Sequence, residues 1–281
     1  MKWTNKFSLP ETIYNAVIHD PYVREGEYSV TQLISPPQIL QLLRRHDSEI
    51  ERDVSDNLWM LLGSAIHHVL ERAKPDNALK EESLKISNGR ITISGRPDLY
   101  TAEGNVEDYK VTSVYAFLLG NKPEWEAQLN LYALLYREYG FKVNKLFIHA
   151  ILRDWMQSKT VDEDYPQCPF ISVEIPLEKP EVVLMYLEGR VMIHQSSARL
   201  PDDHLPECTD QERWMRPTTY AVKKKGNKRA TKVFDTQKEA ENMIAGSDNL
   251  VLEFRPGENV RCERFCDAKN FCFQYKRMNQ Q

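Results

Sequence analysis

Between positions 58 and 73, apolar side chains recur at three- and four-residue steps. Trp59, Leu62, Ile66, Val69, Leu70 and Ala73 fall on one arc of a helix. Gly63, His67 and Glu71 repeat every fourth residue along its border, which stacks a histidine and a carboxylate on successive turns. The period then shortens. Residues 82–87, 90–100 and 106–111 read as strands, the first turned into the second by Asn88-Gly89 and the second into the third by Glu103-Gly104-Asn105. A helix is predicted from Pro123, with Glu124 and Glu126 in its first turn and Gly140 at its stop; Trp125, Gln128, Tyr132, Leu135 and Tyr139 form one stripe of it. Residues 143–152 and 170–176 are strands by composition, 162–169 a polar loop and 178–197 a long helix.

Residues 1–57 read as a helical lead-in, with helical spacing over 10–18 and 37–46 and the breaker Ser35-Pro36-Pro37 between them. Pro36-Pro37 also suits a polyproline ligand, but a helix start is the favoured reading. After Leu200 the texture changes. Pro201, Pro206 and Pro217 punctuate a linker, and 220–234 reads as a hairpin turning at Gly226-Asn227. Lys223, Lys224, Lys225, Lys228, Arg229 and Lys232 crowd that hairpin, with Tyr220 and Phe234 at its ends. A helix over 236–245 follows, opened by a Thr236–Glu239 capping box and closed by Gly246. The resulting partition is a lead-in (1–57), a core (58–200) and an appended module (201–281).

At 281 residues the chain can bury a sizeable core. No apolar run nears the length of a membrane span, and the first residues lack the continuous apolar stretch of a signal peptide, so a cytoplasmic protein without membrane contact is expected. A net charge of −4 means that nucleic-acid contact has to come from a local patch, for which the basic hairpin is the candidate. Five cysteines in a reducing compartment point to metal binding rather than to a disulfide framework.

The chemistry concentrates on 90–112. Asp98 follows Pro97, while Asp108 and Lys110 lie two residues apart and so share one face of a strand. A hard divalent ion, magnesium or manganese, held by Asp98, Asp108 and the main-chain carbonyl of Tyr109 would account for such a trio; a surface Asp–Lys pair is the plain alternative. Pro-Asp followed ten residues later by Asp108-Tyr109-Lys110 resembles the PD-(D/E)XK nuclease superfamily, its RecB-type branch above all. G-x-x-x-H at Gly63–His67 and Q-x-x-x-Y at Gln128–Tyr132 add to the resemblance. It implies an α/β, restriction-endonuclease-like core ordered helix, three strands, helix, strand, with a helical N-terminal segment and a small C-terminal α+β module. It also implies that His67 joins the metal ligands and that Gln128 and Tyr132 orient the substrate backbone or the lysine.

Cys262, Cys266 and Cys272 lie within eleven residues. They resemble the C-terminal cysteine triplet of iron-sulfur nucleases such as AddB and the CRISPR-associated adaptation nucleases, in which a distant fourth cysteine completes a [4Fe-4S] site. The C-x-x-x-C spacing and the lack of a cysteine in the lead-in depart from that pattern. Cys208 is preferred over Cys168 as the fourth ligand, because it starts the linker into the module that Cys262 ends; zinc on four thiolates is the alternative. The resemblance implies a metal-dependent deoxyribonuclease, an exonuclease rather than an endonuclease, acting on DNA ends in recombination or replication as bacteriophages do. It admits a helicase or a single-strand-annealing protein as partner. A catalytically inactive DNA-binding or assembly subunit is the alternative, which the intact Asp98, Asp108 and Lys110 disfavour.

Overall fold

The computed structural model describes residues 1–19, 26–73, 77–87, 91–118, 120 and 122–279. The chain divides into two compact units, Met1–Pro37 with Glu51–Arg199 and Gln38–Ile50 with Leu200–Gln281.

The first unit is mixed α/β. Its five-stranded sheet runs in the order Phe170–Ile175, Lys145–Leu152, Asn105–Thr112, Leu99–Tyr100, Leu79–Lys80. Asn105–Thr112 pairs in parallel with Lys145–Leu152, and the other neighbours are antiparallel. A parallel pair needs a crossover, which the helix Pro123–Glu138 supplies. That helix is buried continuously from Gln128 to Tyr136. Val106, Leu146 and Ile148 are fully enclosed in the sheet, and Asp108 stands in register with Ile148. Gly95 lets the helix come close, since a Cβ there would lie 2.6 Å from Leu135 and 2.9 Å from the Tyr132 ring.

The helix predicted over 58–73 forms as Leu58–Ala73, but its apolar arc does not enter a core. Trp59 is 59% and Val69 55% exposed. Trp59 borders an open cleft of about 1040 Å³ and carries the Arg153 guanidinium over its ring at 4.8 Å. Gly63 faces the same cleft, and a Cβ there would meet nothing within 4 Å. The run 90–100 is not one strand. Thr92–Gly95 joins a second sheet with Tyr28–Ser29 and Leu84–Ser87, whereas Leu99–Tyr100 joins the large one. Pro97, which has no N–H for a ladder, lies at the break. Among the described residues, five strand segments and the short helix Val114–Leu118 separate Leu58–Ala73 from Pro123–Glu138, in place of the three strands expected. Asn88-Gly89 lies outside the described residues; the strands on either side of it pair antiparallel, Ser87 opposite Thr92. The lead-in holds the expected helices Glu11–Ile18 and Pro37–Arg45, but also the parallel strand pair Lys2–Thr4 and Glu51–Asp53.

In the second unit, Thr219–Lys224 is the centre of a three-stranded antiparallel sheet between Lys232–Phe234 and Leu250–Arg255. Helix Gln237–Ile244 starts at the expected cap, the Thr236 hydroxyl accepting the Glu239 N–H. Leu42 packs with Leu205, Ala268 and Cys272. Beside that cluster His46 stacks on Phe271 at 4.0 Å and bonds Asp202 and Glu49, each at 2.7 Å.

The hydrogen bond to Asp202, then that to Glu49, raises the His46 pKa above its ordinary value. A histidine raised in the folded state stabilises it fully below the unfolded value of about 6.5, and the contribution is lost as pH rises through the folded value. Thermal melts from about pH 5.5 to 8.5 should therefore show a fall that His46→Gln flattens. Solvent screening limits it to about 1 kcal/mol or less. Identical pH profiles for the two proteins would remove His46 as the cause.

Candidate active site

The sheet, the buried helix and helix Leu58–Ala73 bring together two carboxylates, a lysine, a glutamine and a histidine, of which Asp98 and His67 line the cleft. Asp98, 8% exposed, follows the break at Pro97, and one of its oxygens accepts the Tyr109 N–H at 2.7 Å. Tyr109 thus enters the site through its N–H. The other Asp98 oxygen lies 3.3 Å from His67 Nδ1. This hydrogen bond raises the His67 pKa, with burial opposing it.

Asp108 points from the sheet toward helix Pro123–Glu138 and is 3% exposed. One oxygen lies 2.5 Å from Lys110 Nζ, and the other accepts Gln128 Nε2 at 3.2 Å. Gln128 closes the ring: its Oε1 accepts Lys110 Nζ at 3.1 Å, and its Nε2 also donates to the Tyr132 hydroxyl at 3.1 Å. Burial drives the Asp108 pKa upward, opposed by the Lys110 ammonium. The helical i, i+4 spacing of Gln128 and Tyr132 is what lets one amide meet both the hydroxyl and the carboxylate. His68, next to His67, also lines the cleft, is largely exposed and lies 3.6 Å from Glu71.

A residue not singled out from the sequence stands in the site. Ligand atoms of His67, Glu81 and Asp98 all lie within 4.8 Å of one another, and these three residues line the cleft. In sequence, Glu81-Glu82 looks like a charged loop entry to a strand. Its place comes from the sheet: strand Leu79–Lys80 pairs with Leu99–Tyr100, which carries the chain one step on to Glu81 opposite Asp98. Two carboxylates and an imidazole facing an open cleft suit a hard divalent cation.

In the second unit, Cys208, Cys262, Cys266 and Cys272 line one small cavity of about 10 Å³, with Gln38 and Arg213 beside them. Gln38 Oε1 lies 3.5 Å from both Cys208 Sγ and Cys272 Sγ. Burial pushes all four thiols above their ordinary values, Cys266 up to about 11. Four thiols on one cavity fit a thiolate-ligated group, whose positive charge would reverse those shifts. Cys168 belongs to the first unit and is exposed, its Sγ donating to the Phe170 carbonyl.

Of the basic hairpin, Lys224, Lys225, Lys228, Arg229 and Lys232 are exposed. Lys223 is paired with Glu253, and Lys232 Nζ sits 4.9 Å above the Phe234 ring. Tyr220 stands opposite both Phe234 and Phe254, with its ring 5.7 Å from that of Phe254. No helix among the described residues is long and apolar enough to cross a membrane.

A family model described as "Uncharacterized protein conserved in bacteria (DUF2188)" matches residues 213–243, which hold the strands Met215–Arg216, Thr219–Lys224 and Lys232–Phe234 and most of helix Gln237–Ile244. No curated protein matches the chain in sequence. Among solved structures, the crystal structure of SSO0001 is similar at 21% identity, with 67% of this chain and 87% of that one covered and a TM-score of 0.45. An alkaline exonuclease, LHK-Exo from Laribacter hongkongensis, is similar at 7% identity, with 60% and 88% covered and a TM-score of 0.39.

Proposed function

We propose that the protein is a metal-dependent DNA nuclease of the PD-(D/E)XK type, and that it works as an exonuclease on DNA ends. The observation that carries this reading is the linked set Asp98, Asp108, Lys110 and Gln128 beside His67 at an open cleft. An inactive subunit has no need of a buried carboxylate held against a lysine, because such a pair costs desolvation without adding stability. His67 and Asp98 would hold magnesium or manganese, with Asp108 next to them. A divalent ion bound there polarises a phosphate and makes water nucleophilic at neutral pH. Lys110 offsets the charge that develops on the phosphate, Gln128 fixes the direction of the ammonium, and Tyr132 fixes Gln128. The four cysteines would hold [4Fe-4S], or zinc in its place, as a structural clamp of the second unit.

Purified protein with manganese, given end-labelled linear DNA and covalently closed circular DNA, tests the reading. Loss of label from linear DNA with the circles intact is expected. Cutting of the circles would replace the exonuclease by an endonuclease, and cutting of neither would overturn the proposal.

The hairpin would supply phosphate contacts. Lys224, Lys225, Lys228 and Arg229 are the exposed cations to change together, since Glu253 already neutralises Lys223. Their replacement by alanine should weaken DNA binding and flatten its logarithmic salt dependence by about 0.7–0.9 per lost phosphate contact. An unaltered slope would reduce the run to a solvated face.

A further inference from the structure

We propose that Trp59, with the Arg153 guanidinium over its ring, is a stacking subsite for one unpaired base of the DNA strand that enters the cleft. This rests on the nuclease reading above and names the form of DNA that the site takes. The first ground is the exposure of the indole. Trp59 lines the cleft yet is 59% exposed, and Met60, which lines it too, is 51% exposed. Every base has a flat face that can cover such a ring, whatever its sequence.

The second ground is charge. Arg153 is exposed, and its guanidinium lies 4.8 Å from the centre of the Trp59 ring. A stacked guanidinium keeps its N–H groups in its plane, where a phosphate can accept them. The Arg153 backbone N–H donates to the Thr112 carbonyl at 2.9 Å, which ties this residue to the end of the strand that carries Lys110. One indole beside one cation matches one base and its phosphate. A duplex hides its base faces except at the terminal pair, and it would bring two rows of phosphates to a cleft that also holds Glu71, Glu81 and Asp98. The unpaired strand is the occupant that suits both groups. The third ground is alignment. Trp59, Gly63 and His67 follow one another at four-residue steps on helix Leu58–Ala73, and all three line the cleft. A Cβ at Gly63 would meet nothing within 4 Å, so the helix presents bare backbone to the cleft between the indole and the imidazole. From position 59 to position 67 the helix advances about 12 Å. At about 3.4 Å per nucleotide of a stacked strand, and more for an extended one, the base on Trp59 lies about two to four nucleotides from the bond to be cut.

Affinity for a fluorescent single-stranded oligonucleotide, read by anisotropy with the full-length protein in EDTA so that no strand is cut, tests the subsite. Trp59→Ala should weaken binding by about 5–150-fold, the range for one stacked base, and Trp59→Phe should restore most of it. Arg153→Ala should weaken binding too and flatten its logarithmic salt dependence by about 0.7, one phosphate contact on a single strand. Because Trp59 is exposed, Trp59→Ala should melt like the unchanged protein. Oligonucleotides lacking one base at successive positions give a readout that a purely structural role would not move. At one position the native protein should bind as weakly as Trp59→Ala, and the variant should lose nothing further. Equal affinity of the two proteins for the intact strand would overturn the subsite, as would a deficit of the variant that stays the same whichever base is removed. A deficit confined to blunt duplex would overturn it in favour of a terminal base pair on the ring. A native protein that neither binds DNA in EDTA nor cuts it with manganese would instead bring down the nuclease reading itself, and this inference with it.

Discussion

Asp108→Asn and Lys110→Ala should each lower DNA cleavage by about 10²–10³-fold or more, the first by removing the anion that holds the ammonium in place, the second by removing the cation that offsets charge on the phosphate. The two variants differ in what they leave behind. In the first, the side-chain amide keeps one oxygen but turns its NH2 group toward either Lys110 Nζ or Gln128 Nε2, both donors, so the ring loses one hydrogen bond along with the charge. Without Lys110, the enclosed Asp108 loses its counter-charge. Burial already raises the Asp108 pKa, so the carboxyl then takes up a proton, and the fold survives with a neutral acid where the mechanism needs an anion. Circular dichroism and DNA binding should therefore stay close to native in both variants. Full cleavage by either one would displace Asp108 and Lys110 from the chemistry.

Cys208→Ala should have the largest effect on stability. If the four thiols hold [4Fe-4S], protein purified without oxygen is brown and contains iron and sulfide in near-equal amounts. Binding energy of this kind is folding energy, because the site does not exist in the unfolded chain. The variant should lose the metal and unfold its second unit first, visible as a low-temperature melting step, while the first unit and Asp108 melt as before. Cys168→Ala, on an exposed thiol of the first unit, should change neither colour nor melting. A colourless protein with one zinc would keep the ligands and replace the iron; a metal-free protein melting like Cys208→Ala would dismiss the clamp.

Local pattern carried much of this architecture into view. The helix at 58–73 was legible because its glycine, histidine and glutamate keep a strict four-residue step, and Pro123 with its two acidic neighbours marked the start of the buried helix. Lys110 facing Asp108 follows from the two-residue period of a strand, and their contact at 2.5 Å is its direct result. What stayed hidden depends on partners distant in sequence. The break at Pro97 was written in the chain, yet nothing local says that the segments before and after it join different sheets. Glu81 acquires its place only once Leu79–Lys80 pairs with Leu99–Tyr100. Trp59 and Val69 read as core because amphipathic spacing reports an apolar side, not whether anything covers it. The parallel strands Lys2–Thr4 and Glu51–Asp53 are too short and too far apart for any periodicity to reveal.

The two-part make-up of the second unit has a consequence for synthesis. Leu42 finds its neighbours Leu205, Ala268 and Cys272 only after the ribosome has added about 230 more residues, from position 42 to position 272. At about 5–20 residues per second, that apolar side chain waits roughly 10–50 s for its packing partners. During this interval Leu40 and Leu42 of the nascent segment Pro37–Arg45 lack the C-terminal part of their unit. The second unit therefore cannot close its apolar cluster until the C-terminal residues have been made.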